Sequence, residues 1–126
     1  MDDTTYRHYC LDLLGSFVAQ INARAEHCAP DDPLRELAAG FTAVSGGEGL
    51  YEQGPGLVAR LFASVPDLAP LFPREMLWFM GGDCLHYMPD EEQAAFQALE
   101  DLRAEAAAQG EVLDYHREKT RLLKLQ

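Results

Sequence analysis

From Thr4 to Cys28 the apolar positions fall at Tyr6, Cys10, Leu13, Leu14, Phe17, Val18, Ile21, Ala25 and Cys28. Steps of three and four put these side chains on one face of an α-helix, so the pattern predicts an amphipathic helix of about seven turns. "APDDP" ends it. Asp32 is placed to cap the next helix, with Pro33 at its first position, where a missing N–H costs nothing. Leu34, Leu37, Ala38, Phe41 and Val44 form that helix's stripe, and "SGGEG" breaks it. A third stripe runs through Leu57, Val58, Leu61, Phe62 and Val65. Pro66, Pro70 and Pro73 then predict a chain of short turns carrying Leu68, Leu71 and Phe72 into the core. Pro73 is expected to open a short helix that ends at Met80, before Gly81 and Gly82.

The next helix is expected to start at Pro89 and Asp90. Asp90 reads as an N-cap, with Gln93 three residues on completing a capping box. Ala95, Phe96, Leu99, Leu102 and Ala106 are its stripe, Gln109 its end and Gly110 its C-cap. A last helix is expected from Val112 to Leu125. No stretch alternates with a period of two, so no strand is expected. The pattern predicts an all-α fold, a compact irregular bundle of about five or six helices in a single domain over residues 1–126.

Composition narrows the class. Apolar residues make up 48% of the chain, which suits a globular domain. No apolar run reaches the ~20 residues of a membrane span. "MDDTTYRHYC" lacks a basic leader, so a cytoplasmic protein is expected. Cys10, Cys28 and Cys84 are odd in number and far apart, which suits free thiols rather than a disulfide framework. The net charge of −11 repels nucleic acid and anionic lipid, so neither is expected as a partner. Arg117, Lys119, Arg121 and Lys124 fall in the last ten positions beside a single acid, Glu118. These cations complement a helix C-terminus, or serve to dock an acidic partner.

The candidate chemistry is thin. "GPGLVA" (Gly54 to Ala59) has the letters of a dinucleotide fingerprint but no preceding strand, so it reads as a flexible loop entering a helix. Asp83, Cys84 and His86 are the best nucleophile-and-base candidates by residue type. Their acidic surroundings would raise the thiol pKa and blunt its reactivity, so a packed cysteine is the simpler reading. His8 with Cys10, His27 with Cys28, and Cys84 with His86 are zinc-type ligands without finger spacing, leaving Cys84 and His86 as weak metal candidates. Leu77, Trp78, Phe79 and Met80, with Tyr87 and Met88 downstream, hold more bulky apolar surface than a short helix hides. They belong either to the core or to a partner surface.

The segment "LWFMGGDCLHYMPDEE" (Leu77 to Glu92) and the C-terminal "RLLKLQ" resemble those of a small uncharacterised bacterial protein family. The resemblance covers the C-terminal half. It implies an intracellular bacterial protein and brings no activity or site residue with it. The function expected from the residues is that of a non-enzymatic cytoplasmic protein-binding domain, adaptor or regulatory, that forms a homodimer and uses no cofactor. Its partner-binding residues would be Trp78, Phe79, Tyr87, Arg117, Lys119 and Arg121. The alternative is a small-molecule or metal-binding helical domain, or a small enzyme, built on Asp83, Cys84 and His86.

Overall fold

The computed structural model describes residues 1–124; these form six α-helices, two short 3-10 turns and no strand. The order is α1 (Asp3–Ala25), α2 (Pro33–Val44), α3 (Leu50–Ser64), a 3-10 turn (Ala69–Leu71), α4 (Arg74–Met80), a second 3-10 turn (Gly82–Tyr87), α5 (Asp90–Ala108) and α6 (Tyr115–Leu123). The helical stripes read from the sequence supply most of the buried faces, with Leu13, Leu34, Phe62, Leu102 and Ala106 only partly covered and Val65 just past the end of α3. On α1 they are Tyr6, Cys10, Leu14, Phe17, Val18, Ile21 and Ala25.

Helix α1 packs against α2 and α4, α2 against α3, and α5 against α6. The proline-rich stretch delivers Phe72 to the junction of α1 and α2. There its ring lies edge-on to Phe17 at 5.1 Å, and Phe17 meets Phe41 at 5.2 Å. Such T-shaped contacts add to the burial of three large rings. Two glycines set helix spacing. A Cβ at Gly40 would stand 2.5 Å from Leu57 Cδ2, and one at Gly54 would stand 2.5 Å from Met80 Cε. Gly40 therefore lets α3 approach α2, and Gly54 lets α4 approach α3.

Gly54 belongs to a correction. "GPGLVA" is not a loop: α3 begins at Leu50 and carries Pro55 inside it. The ring removes one backbone donor. Leu50, Gly54, Leu57 and Leu61 nevertheless share one buried helical face, and that packing outweighs the local proline and glycine cost. Helix α1 also ends earlier than expected, at Ala25, with His27 and Cys28 in a tight turn.

Three helices are capped by aspartate. Asp2 accepts from Thr5 N at 2.7 Å, Asp32 from Leu34 N at 2.8 Å, and Asp114 from Arg117 N at 3.2 Å. Asp114 moves the start of α6 to Tyr115, and Val112 lies outside it, 74% exposed. The expected end of this helix at Leu125 is outside the described residues. At α5 the expected capping box is absent. Pro89 occupies the N-cap, Asp90 is the first helical residue, and no side chain caps the helix. Gln93 instead donates to Leu85 O at 3.1 Å and Met88 O at 2.9 Å, which ties α5 to the preceding turn.

The two aspartates should therefore respond differently to truncation. Asp32→Ala should cost about 0.5–2 kcal/mol, the usual loss for an N-cap. Asp90→Ala should cost less than about 1 kcal/mol, since it removes only a charge near the helix dipole. Urea midpoints of the two variants, measured at low salt, check the order.

Candidate functional site

Helix α4 has seven residues and turns Glu75, Met76 and Leu77 inward. Met76 and Leu77 are ordinary core. Glu75 is not: it is 2% exposed and is the buried charged residue of the described chain. A lone carboxylate at that depth would cost several kcal/mol in lost hydration. Helix α6 supplies the compensation. Tyr115 OH donates to Glu75 Oε2 at 2.5 Å, and Lys119 Nζ pairs with Glu75 Oε1. Tyr115 and Lys119 are four residues apart, so both reach the acid from one face of α6.

Aromatic rings surround this network. Tyr115 packs at 5.3 Å from Tyr6 and 5.8 Å from Tyr9, and Tyr9 meets His116 at 5.2 Å. The Arg103 guanidinium lies 3.8 Å above the Tyr6 ring and pairs with Asp3 at 3.1 Å. Tyr6 and Tyr115 are raised well above the ordinary phenol range, first by burial and then by neighbouring charge, Glu75 included. Tyr9 is raised by burial and by Glu75. The Cys10 thiol is pushed up to about 12, chiefly by burial. Burial works against the Lys119 ammonium, but the hydrogen bond to Glu75 and the charge of Glu75 outweigh it, and its pKa rises. The centre thus stabilises an ammonium–carboxylate pair among neutral phenols and a neutral thiol.

Above it opens a cleft of about 410 Å³, with Tyr9, Leu13, Pro73, Phe96 and Leu123 as apolar walls. Glu75, Lys119, Arg74 and Glu92 are its charged lining. Arg74 Nε donates to Glu92 Oε1 at 2.7 Å and Nη2 to Glu92 Oε2 at 3.1 Å. Nη2 also donates to Tyr87 O at 2.9 Å. An apolar cleft with a few convergent polar groups is the usual form of a small-molecule site.

Asp83, Cys84 and His86 lie on the second 3-10 turn. Cys84 is 1% exposed, while Asp83 and His86 are exposed. All three border a smaller cavity of about 270 Å³ beside Pro55, Ala59 and Tyr87. Burial, and then the Asp83 charge, raise the Cys84 thiol. Among the described residues, no three His, Cys, Asp or Glu side chains converge as metal ligands.

The residues expected to bind a partner are dispersed. Trp78 is half-buried and stacks on Phe96 at 6.1 Å. Phe79 lies between Tyr6 and Tyr51, and Tyr87 packs on Phe62 at 4.1 Å. Arg117 and Arg121 both face Glu118, whereas Lys119 points inward to Glu75. The basic cluster of the last helix is therefore split between its surface and its core face. The sequence reading missed Glu75, Tyr9, Arg74, Glu92 and Tyr115. Two signals were available: a lone acid inside "REMLWFM", and Tyr115 with Lys119 at helical spacing.

The upward shifts have one sign of consequence. A raised pKa means that the folded protein keeps a proton which the unfolded chain gives up. The stability this contributes is fully present below the unfolded pKa and is lost as pH rises toward the folded one. Cys10 and Cys84 begin this loss near the ordinary thiol value of 9.0, and Cys10 continues it toward about 12. Tyr6, Tyr9, Tyr115 and Lys119 join from 10.0–10.5 upward. Urea midpoints should hold level up to about pH 9 and then fall steadily, and replacing both buried thiols, Cys10→Ala with Cys84→Ala, should delay the onset by about one pH unit. A flat profile to pH 11 would contradict the burial of these groups.

Among curated proteins and solved structures, none matches this chain. A family model does match, over residues 5–126, and with all but its first four residues covered the chain belongs to the PA2817-like family.

Proposed function

We propose that this protein is a non-enzymatic, cytoplasmic small-molecule-binding domain whose site is the cleft over Glu75, Tyr115 and Lys119. The observation that carries the reading is a buried ion pair at the base of an apolar cleft. Polar groups converge there from α1, α4, α5 and α6, and the walls exclude water from a ligand's apolar part. The raised thiols of Cys10 and Cys84 favour binding over nucleophilic chemistry, because a thiol must ionise to attack. A cytoplasmic setting is supported by three free cysteines. No helix of the described residues is long and apolar enough to cross a membrane.

The test is a screen of small uncharged aromatic fragments by two-dimensional amide NMR. Shifts are expected at Tyr9, Leu13, Glu75, Phe96 and Lys119. Leu13→Trp, which fills the cleft from a partly exposed wall position, should abolish them. Shifts elsewhere, or none, would defeat the ligand reading.

Protein binding through self-association is the second reading. It is supported by Tyr51, which is 52% exposed and lies 5.9 Å from Phe79, beside the partly buried Trp78. Two-fold dimers are the commonest assemblies, and their interfaces are enriched in such aromatics. Light scattering should then give twice 14.0 kDa at high protein concentration, and the dimer should hold or tighten in salt. A mass of 14.0 kDa under all conditions would remove this reading.

A further inference from the structure

Helix α6 is fastened to the molecule differently from α1, α2 and α3. Helix α1 buries seven side chains, whereas α6 buries one, Tyr115. His116, Arg117, Thr120 and Arg121 are exposed, and Leu122 and Leu123 are partly covered. The α6 backbone lies chiefly along α5. Elsewhere it is held by Tyr115 OH and Lys119 Nζ on Glu75, by Tyr115 and His116 against Tyr9, and by Met1 N donating to Leu113 O just ahead of it. The linker from α5 can turn. Gln109, Gly110, Glu111 and Val112 are all exposed, and Gly110 sits at φ +71°, where a side chain would be strained.

From this we infer that α6 is a gate: it releases as one unit, hinged at Gln109–Val112, while α1 to α5 stay folded, and so opens the cleft on the side of Lys119 and Leu123. Calling it a gate rests on the cleft being a ligand site; the release itself does not. Segments that open below the global unfolding free energy are those with few buried apolar contacts. Releasing α6 uncovers one buried ring, whereas opening α1 would expose Phe17, Phe41 and Phe72 together. Nor does release strand a charge. As Tyr115 and Lys119 leave, water enters by the cleft, which Glu75 already lines. Lys119 and Leu123 withdraw, and Tyr9, Leu13, Pro73 and Phe96 remain as an open face. Once released, nine residues are too few to stay helical in water, so their amides lose protection.

The experiment is amide hydrogen exchange of the whole chain, followed by two-dimensional NMR. Amides of Lys119 to Leu123 should exchange at least about tenfold faster than those of Leu14 to Ile21, because they need the release and not global unfolding. Ile21 is 1% exposed and lies in the part that stays folded. Ile21→Val should quicken the Leu14 to Ile21 amides by about two- to tenfold and leave those of α6 unchanged, since Ile21 is packed alike in the closed and released states. Tyr115→Phe keeps the ring but drops the hydrogen bond to Glu75, and should quicken the α6 amides by about tenfold or more. The first two comparisons do not depend on that variant folding. Equal rates in the two helices, or α6 amides that quicken with Ile21→Val, would mean that α6 opens only when the whole chain unfolds, and would overturn the gate. So would α6 rates untouched by Tyr115→Phe. None of these readouts uses a ligand, so a failed fragment screen rejects the cleft as a site and leaves the release of α6 standing.

Discussion

The bundle depends on how a carboxylate is kept at its centre. Glu75 has left water almost completely, and α6 is the element that makes this tolerable. The dependence runs both ways. Helix α6 has one fully buried residue, Tyr115, with Leu122 and Leu123 only partly covered. Nine residues with so little apolar burial would not hold as an independent helix. Tyr115 and Lys119 pin it to α4, and α5 packs along it. Breaking such a pair from one side typically costs about 3–5 kcal/mol, a large part of a small domain's stability.

The same network accounts for the neighbouring aromatic rings. Tyr6, Tyr9 and Tyr115 enclose the ion pair in a medium of low polarity, which strengthens it and keeps their own phenols protonated. The cleft opens where this enclosure stops, between Tyr9 and Leu13 of α1, Pro73 and Arg74 at the start of α4, and Phe96 of α5. Site and staple therefore share their parts. A ligand contacting Lys119 would contact a side chain that also holds the last helix in place.

Most of the architecture was legible in the amino-acid sequence. The stripes of α1, α2, α3 and α5, the Asp32 cap, the stop at Gly81 and the break at Gly110 all follow from periodicity and turn chemistry, which act within a few residues. The errors arose where a distant contact outweighed a local rule. "GPG" entered α3 because Leu50 and Gly54 pack inward, Gly54 against Met80. Asp90 lost its capping role because Pro89 took the N-cap, while Gln93 bonds the Leu85 and Met88 carbonyls of the preceding turn.

The candidate site was the least legible part. Asp83, Cys84 and His86 drew attention because their residue types are chemically versatile, yet only Cys84 of the three is buried. Glu75 and Lys119 are 44 positions apart and of common type, and neither stands out alone. By itself the sequence determined an acidic, all-helical chain and the buried face of each major helix, because those properties are set by composition and by neighbours three and four positions away. Only the tertiary structure decided that an acid of α4 would meet a lysine and a tyrosine of α6 beneath an apolar cleft. Such a pairing depends on which helices pack together, and no local spacing encodes it.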